Sequence, residues 1–226
     1  MSLTIGTISI GQSPREDIIP DLKMLIGAEV SIVVRGILDR MEREEIRNFV
    51  PRRKEKILNT RLRNGESVTL GYNHVVEGIR KTLAELRNDG YVSIALLCTC
   101  HFSELDDEKG LIQVSTLLRQ EVEAKLKKGI LGILVPSAEQ IGQTEKEWFC
   151  PGLKVIVASA SPYGKSTDVI SAVSHLSTKA VDLILLDCIG YNLSLFNELK
   201  EITETPMILP VEVLAHHLRK HLFSEK

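Results

Sequence analysis

The stretch Asp182-Leu183-Ile184-Leu185-Leu186-Asp187-Cys188-Ile189-Gly190-Tyr191 leaves this chain few folds to choose from. Its apolar run is continuous rather than alternating, the pattern of a strand buried on both faces. Such strands belong to parallel sheets covered by helices on both sides. The run ends in a cysteine, then a glycine, and a new helical pattern begins. Val92-Ser93-Ile94-Ala95-Leu96-Leu97-Cys98-Thr99-Cys100-His101 does nearly the same. Each stretch delivers a thiol to the carboxyl end of a buried strand, the edge at which open α/β sheets bind ligands.

The rest of the chain alternates strands with helices, as parallel βαβ units require. The run from Leu3 to Ile10 is a strand that breaks at Gly11-Gln12. Ser13, Pro14 and Glu16 then form the signature of a capped helix, predicted from Pro14 to about Leu25. A strand over Val30 to Val34 and a charged helix over Arg40 to Phe49 follow. Asn64-Gly65 sits between two extended runs, Ile57 to Leu62 and Ser67 to Leu70, and marks a hairpin. Val75, Val76, Ile79, Leu83 and Leu86 have helical spacing within His74 to Asn88. After Cys100 an acidic turn leads to a helix from Val114 to Lys127. Ile130 to Val135 is a strand, and Ser137 with Gln140 repeats the capping signal. The strand Leu153 to Ala158 precedes a helix that Ser166 caps and that runs to Lys179. The end of the chain reads as a helix near Ser194 to Ile202, a short strand Met207 to Leu209, and a last helix from Val211 to Leu222.

A duplication runs through this pattern. Strand then capping signal occurs at residues 3–16 and 130–140; strand then cysteine occurs at 92–98 and 182–188. Ser13 and Cys98 are 85 positions apart, Ser137 and Cys188 only 51, and the excess matches the charged helix plus hairpin at 40–72. The expected architecture is α/β, with two similar Rossmann-like parallel-sheet lobes and a cleft between them. Residues 1–113 with 210–226 form the first lobe, carrying the insertion, and residues 114–209 form the second.

Composition narrows the function. Apolar residues make up 43% and charged residues 26%, with a net charge of −2. No polyanion-binding bias follows, so nucleic acid is not an expected partner. No apolar run reaches the roughly 18 residues of a membrane span, and no charged-then-apolar signal opens the chain. A cytoplasmic protein is therefore expected, and its four cysteines read as reduced thiols.

A thiol becomes a nucleophile or base once deprotonated, and strand-to-helix turns favour that through nearby backbone N–H groups. Cys98 and Cys188 both occupy such turns. Cysteine also fills cores, and Cys150, between Phe149 and Pro151, is read as structural. The Ser13-Pro14-Arg15 helix start is the candidate for holding a carboxylate, through N–H groups and a guanidinium. Gly164-Lys165-Ser166-Thr167 resembles the end of a phosphate-binding loop, but Ser159 stands where that loop needs glycine. An anion contact from Ser161, Lys165 and Ser166 stays open. Cys98-x-Cys100-His101 has no second ligand pair at metal-site spacing. His216 and His217 are adjacent and point to different faces, so no metal is expected.

Gly11-Gln12-Ser13-Pro14-Arg15-x-Asp17 and Leu186-Asp187-Cys188-Ile189-Gly190-Tyr191 resemble the AroM family over essentially the whole chain. More remotely, the paired strand–cysteine pattern resembles the aspartate/glutamate/hydantoin racemase superfamily. That resemblance implies a two-lobed α/β fold and a cofactor-independent racemase or isomerase. Cys98 and Cys188 would remove and return a proton next to a carboxylate or carbonyl. Racemases follow the first cysteine with Asn-Thr, whereas here Thr99-Cys100 follows Cys98, so either Cys98 or Cys100 can be the working thiol. The second cysteine here follows Asp187 rather than glycine. Candidate substrate contacts are Gln12, Ser13, Arg15, Thr99, Ser137, Ser161, Gly190 and Tyr191. The expected partner is a small carboxylate, with a homodimer allowed and no membrane or cofactor. A non-catalytic carboxylate binder or sensor is the alternative, and thiol redox chemistry through Cys98-x-Cys100 ranks third.

Overall fold

The computed structural model describes residues 3–223, over which ten strands alternate with eight α-helices. The chain divides into two units, one of Met1–Ser115 with Leu218–Lys226 and one of Thr116–His217.

In the first unit, β1 (Leu3–Ser9), β2 (Val30–Gly36), β5 (Ile94–Leu97) and β6 (Leu111–Gln113) form one parallel sheet in the order β2-β1-β5-β6. Every residue of β5 is buried, as its unbroken apolar run requires. Helix α1 (Ile19–Ile26) follows β1. Between β2 and helix α3 (Tyr72–Asn88) the chain inserts a single helical turn, α2 (Arg43–Ile46), a 3-10 turn, and an antiparallel hairpin of β3 (Ile57–Arg61) and β4 (Ser67–Gly71). All five apolar positions that predicted α3 are buried. Ile79 and Leu86 are 0% exposed, and each buried side chain of this size contributes about 1.5–3 kcal/mol.

The second unit holds β7 (Gly129–Val135), β8 (Leu153–Ser159), β9 (Leu183–Leu186) and β10 (Met207–Ile208), again all parallel, in the order β10-β9-β7-β8. Helices α5 (Ile141–Glu147), α6 (Ser166–Ser177) and α7 (Leu193–Lys200) connect them. Helix α4 (Val114–Lys125) carries the chain out of the first unit, and α8 (Pro210–Phe223) carries it back. Counted within its own unit, each sheet has the order second, first, third, fourth. The duplication is therefore one of topology, with the hairpin as an addition to the first copy.

Several local expectations are corrected. Helix α1 begins at Ile19, not Pro14, and Ser13 caps nothing: the Asp39 carboxylate takes both its N–H (2.7 Å) and its hydroxyl (2.9 Å). The peptide before Pro14 is cis, and Arg15 has a left-handed φ of 57°. The charged helix shrinks to α2 and the turn Arg47–Phe49, with Glu42 and Glu45 forming the reciprocal cap. Ser137 precedes a 3-10 turn and meets the Gln140 side chain (3.5 Å) instead of capping its backbone. Ser166 is the first residue of α6, and its cap position is Lys165. Strand β6 was not expected, because three residues are too short for a periodic signal.

Candidate functional site

A sheet ordered second, first, third, fourth sends the chain to opposite sides after its first and third strands. A crevice opens between the carboxyl ends of those two strands, and ligands bind there. In the first unit these are β1 and β5, in register at Ser9 and Leu97. In the second they are β7 and β9, in register at Leu134 and Leu186. Cys98 and Cys188 each follow the third strand, so the two thiols occupy the same slot in two sheets. Their turns also match. The Cys98 N–H donates to Leu96 O (2.9 Å) and the Cys188 N–H to Leu186 O (2.8 Å). Both cysteines are 7% exposed, and no disulfide joins any of the four cysteines.

The turn around Cys188 is built to hold a sulfur. The Gly190 N–H donates to Cys188 Sγ (3.5 Å). Asn192 then caps α7 by accepting from the Leu195 N–H (2.9 Å). Tyr191 is 1% exposed and donates to Ala160 O (2.7 Å), tying the turn to the end of β8. Burial raises the Tyr191 phenol well above its usual range, and the neighbouring charges of Cys188, Asp187 and Tyr163 push the same way. Tyr163 lies directly on Gly190: a Cβ there would come within 2.4 Å of the phenol oxygen. Ser137 and Ser161, half-buried, follow β7 and β8 at this same edge. Ser161 also lines a cavity of about 310 Å3 with Lys165, Ser166 and Asn192, where α6 and α7 begin.

The first unit's edge is organised differently. Thr99 and Cys100 are half-buried beyond Cys98, and the Cys100 thiol donates to His101 O (3.4 Å). The His101 ring lies between Asp106 (Nε2 to Oδ2, 3.3 Å) and Ser115 (Nδ1 to Oγ, 3.4 Å). Across the edge, the β1 loop is engaged with protein groups. Gln12 donates to Leu38 O (3.1 Å) and accepts from the Arg63 N–H (3.0 Å). Arg15 is 4% exposed, not solvated; it donates twice to Asp17 (2.9 and 2.8 Å) and once to Ser9 Oγ (3.0 Å). The helix-start anion site expected at Ser13-Pro14-Arg15 does not form, because the helical N–H groups begin six residues after Ser13.

The fold thus gathers Gln12, Ser13 and Arg15 at the strand end beside Cys98 and Thr99. It gathers Ser137 and Ser161 on the edge that carries Cys188, Gly190 and Tyr191. Asp39, Tyr163, Arg61 and Arg63 were not picked out from the sequence. Asp39 follows the second strand as an acidic residue in an apolar setting, a local signal that was present. The other three are placed by contacts between segments distant in sequence. Among the described residues no group of three His, Cys, Asp or Glu side chains could hold a metal ion, and no helix is long and apolar enough to cross a membrane.

The AroM protein family model matches residues 5–222. The chain is a member of the AroM family. A search of curated proteins finds no match. Among solved structures, this AroM-family chain is similar to arylmalonate decarboxylase, with 14% identity and a TM-score of 0.60 over 96% of this chain and 92% of that one. Glutamate racemase from Francisella tularensis shares 16% identity, TM-score 0.58, over 99% and 82%. Allantoin racemase from Klebsiella pneumoniae shares 13% identity, TM-score 0.66, over 98% and 88%. At these identities the likeness is one of fold, and it assigns the AroM-family chain an aspartate/glutamate-racemase-like architecture.

Proposed function

We propose that this AroM-family chain is a cofactor-independent racemase or isomerase, moving a proton at the carbon next to the carboxylate or carbonyl of a small molecule. The observation that carries it is the placement of Cys98 and Cys188 in equivalent slots, after the third strand of two sheets of identical order, with the same backbone turn. Two of the fold relatives are racemases, one of them solved with D-glutamate, and the third is a decarboxylase, which supports chemistry at such a carbon. In the proposed cycle one cysteine, as thiolate, takes the proton and becomes a thiol. The electron pair stays on carbon, delocalised into the adjacent carbonyl. The other cysteine, as thiol, returns a proton and becomes the thiolate. Cys98 is the first-unit partner rather than Cys100, because Cys98 repeats the Cys188 turn. The setting proposed is the cytoplasm, where thiols stay reduced.

Solvent exchange tests this reading. In heavy water, the wild-type protein should place deuterium next to the carboxylate of its substrate. Cys188→Ala should lower interconversion by about 10²–10⁴-fold, the usual contribution of a positioned acid or base, and leave exchange from the face served by Cys98. Cys98→Ala should do the converse, and Cys100→Ala and Cys150→Ala neither. Tight binding without exchange across dicarboxylates, amino acids and hydantoins would replace the isomerase with a non-catalytic carboxylate-binding protein.

A further inference from the structure

We infer that Tyr163, in the turn between β8 and α6, is the positioning residue for the Cys188 thiol and acts on it through Gly190. The assignment rests on the working role proposed above for Cys188. It says which part of the second unit holds that thiol still.

Gly190 follows Cys188 by two residues and is buried. Its φ lies outside the left-handed region, so no backbone angle calls for glycine there. The Tyr163 side chain does. A Cβ on Gly190 would overlap the phenol oxygen and come within 2.8 Å of Cζ and 3.0 Å of Cε1, so the ring lies directly against the glycine backbone. Glycine is the least restrained residue of a chain, and a turn that contains one needs an outside contact to hold it. The Gly190 N–H is 3.5 Å from Cys188 Sγ, and the Tyr191 N–H closes the turn on Cys188 O (3.3 Å). The groups around the sulfur therefore move with Gly190.

Tyr163 is itself held in place. Ser161 Oγ accepts from the Tyr163 N–H (3.2 Å) and Ser161 O from the Gly164 N–H (3.2 Å), which folds residues 161–164 into a tight turn. Ser161, a candidate substrate contact, thereby shapes the turn that presents Tyr163. A second tyrosine ties the two turns in the reverse direction, since Tyr191 donates to Ala160 O (2.7 Å). One ring runs from the end of β8 onto the cysteine turn, and the other runs back. Tyr191 is 1% exposed, whereas Tyr163 is half-buried, so replacing Tyr163 tests this clamp without emptying the core.

A group that takes a proton from carbon has to be held within about 0.5 Å of its working geometry, and a misplacement of about 1 Å can cost about 10²-fold. Releasing Gly190 should therefore have two opposite effects on a thiol that is 7% exposed. The thiol meets a diffusing reagent more readily, and it serves a bound substrate less well.

Alkylation of the full-length protein with iodoacetamide, followed at each cysteine by mass spectrometry, tests the clamp. Tyr163→Ala should speed alkylation of Cys188 at least about fivefold, because the turn opens locally. The exposed Cys150 should react at one rate throughout and serves as the reference. Tyr163→Phe keeps the ring carbons against Gly190 and should react at Cys188 like wild type. Gly190→Ala displaces the ring from the other side and should match Tyr163→Ala, and combining the two should add nothing further, as one shared contact requires. Urea unfolding curves show which variants are folded, and Gly190→Ala reads the same contact should Tyr163→Ala fail to fold. Wild-type reactivity of Cys188 in either Ala variant overturns the inference. So do additive effects, or a Tyr163→Phe protein that behaves like Tyr163→Ala. Deuterium exchange on the same samples reads the isomerase separately. Where wild type exchanges, Tyr163→Ala should lower the rate at least about tenfold although its thiol alkylates faster. A wild type without exchange removes the proton transfer and leaves the clamp, which alkylation reads, standing.

Discussion

Tyr191 couples the chemistry of the Cys188 turn to its stability. Its phenol is buried, hydrogen-bonded to Ala160 O, and held protonated by burial and by the charges of Cys188, Asp187 and Tyr163. An acid whose folded pKa is raised leaves stability untouched below its unfolded value of about 10, where both states hold the proton. Above that, the unfolded chain ionises while the folded one does not, and stability falls as pH rises. Urea denaturation at a series of pH values should therefore show an alkaline decline beginning near pH 10. Tyr191→Phe should cost about 0.5–1.5 kcal/mol at neutral pH, from the lost hydrogen bond, yet decline less steeply above pH 10. Parallel alkaline slopes in the two proteins would remove Tyr191 as the titrating group.

Among the elements, the β3–β4 hairpin distinguishes the two copies of the fold. Its inner positions Leu58, Thr60 and Leu70 are buried, while Asn59 and Thr69 pair on the other face, the Thr69 hydroxyl donating to Asn59 Oδ1 (3.0 Å). The register of the pair is set by a turn in which the Leu62 N–H donates to Glu66 O (2.8 Å), with Gly65 at a φ of 86°. Gly11 is the close-approach point between hairpin and sheet, because a Cβ there would overlap Arg61 O. Gly11→Ala should push the hairpin off the β1 loop and cost about 1–3 kcal/mol, the usual price of overpacking. Amide exchange should then accelerate in β3 and β4 while β5 and β9 keep their protection. Unchanged exchange in the hairpin would mean that the contact at Arg61 O is not what seats it.

At the scale of the whole chain, the second unit is inserted into the sequence of the first. The last stretch of α8 completes the first unit: Leu218 is 1% exposed, and Arg219 donates to Leu25 O at the end of α1 (3.1 Å). Leu218→Ala should cost about 2–5 kcal/mol, the range for emptying a buried leucine site. Native-state exchange would show where that cost falls. Amides of β1 and β5 should lose more protection than those of β7 and β9. Equal losses in both sheets would show that the two units open as a single cooperative body.

What was legible in the sequence is what short-range chemistry controls. The unbroken apolar runs at 94–97 and 183–186 became the buried central strands, the helical spacing of 75–86 became α3, and Asn64-Gly65 became a hairpin tip. The thiols at the two strand ends, and the duplicated strand–cysteine pattern, were readable for the same reason, because position along a strand is a local property. Which partner a polar loop residue finds is not local. Ser13 and Glu16 spell a capping box, yet Ser13 binds Asp39, 26 residues away, and the helix waits until Ile19. Arg15, expected to hold a carboxylate at a helix start, lies in a loop and is buried against Asp17 and Ser9. Gln12, a candidate ligand contact, also ties the β1 loop to a hairpin some 50 residues on, which no local pattern showed. A loop has no periodicity to constrain it, and its hydrogen-bonding groups are satisfied by whatever the packed strands bring near. The sequence by itself therefore determined the buried central strands, the periodic helix α3 and the thiols at the strand ends, because apolar runs and spacing are local, while only the tertiary structure decided the sheet order, the short strand β6, the start of α1 and the partners of the polar groups at the strand ends.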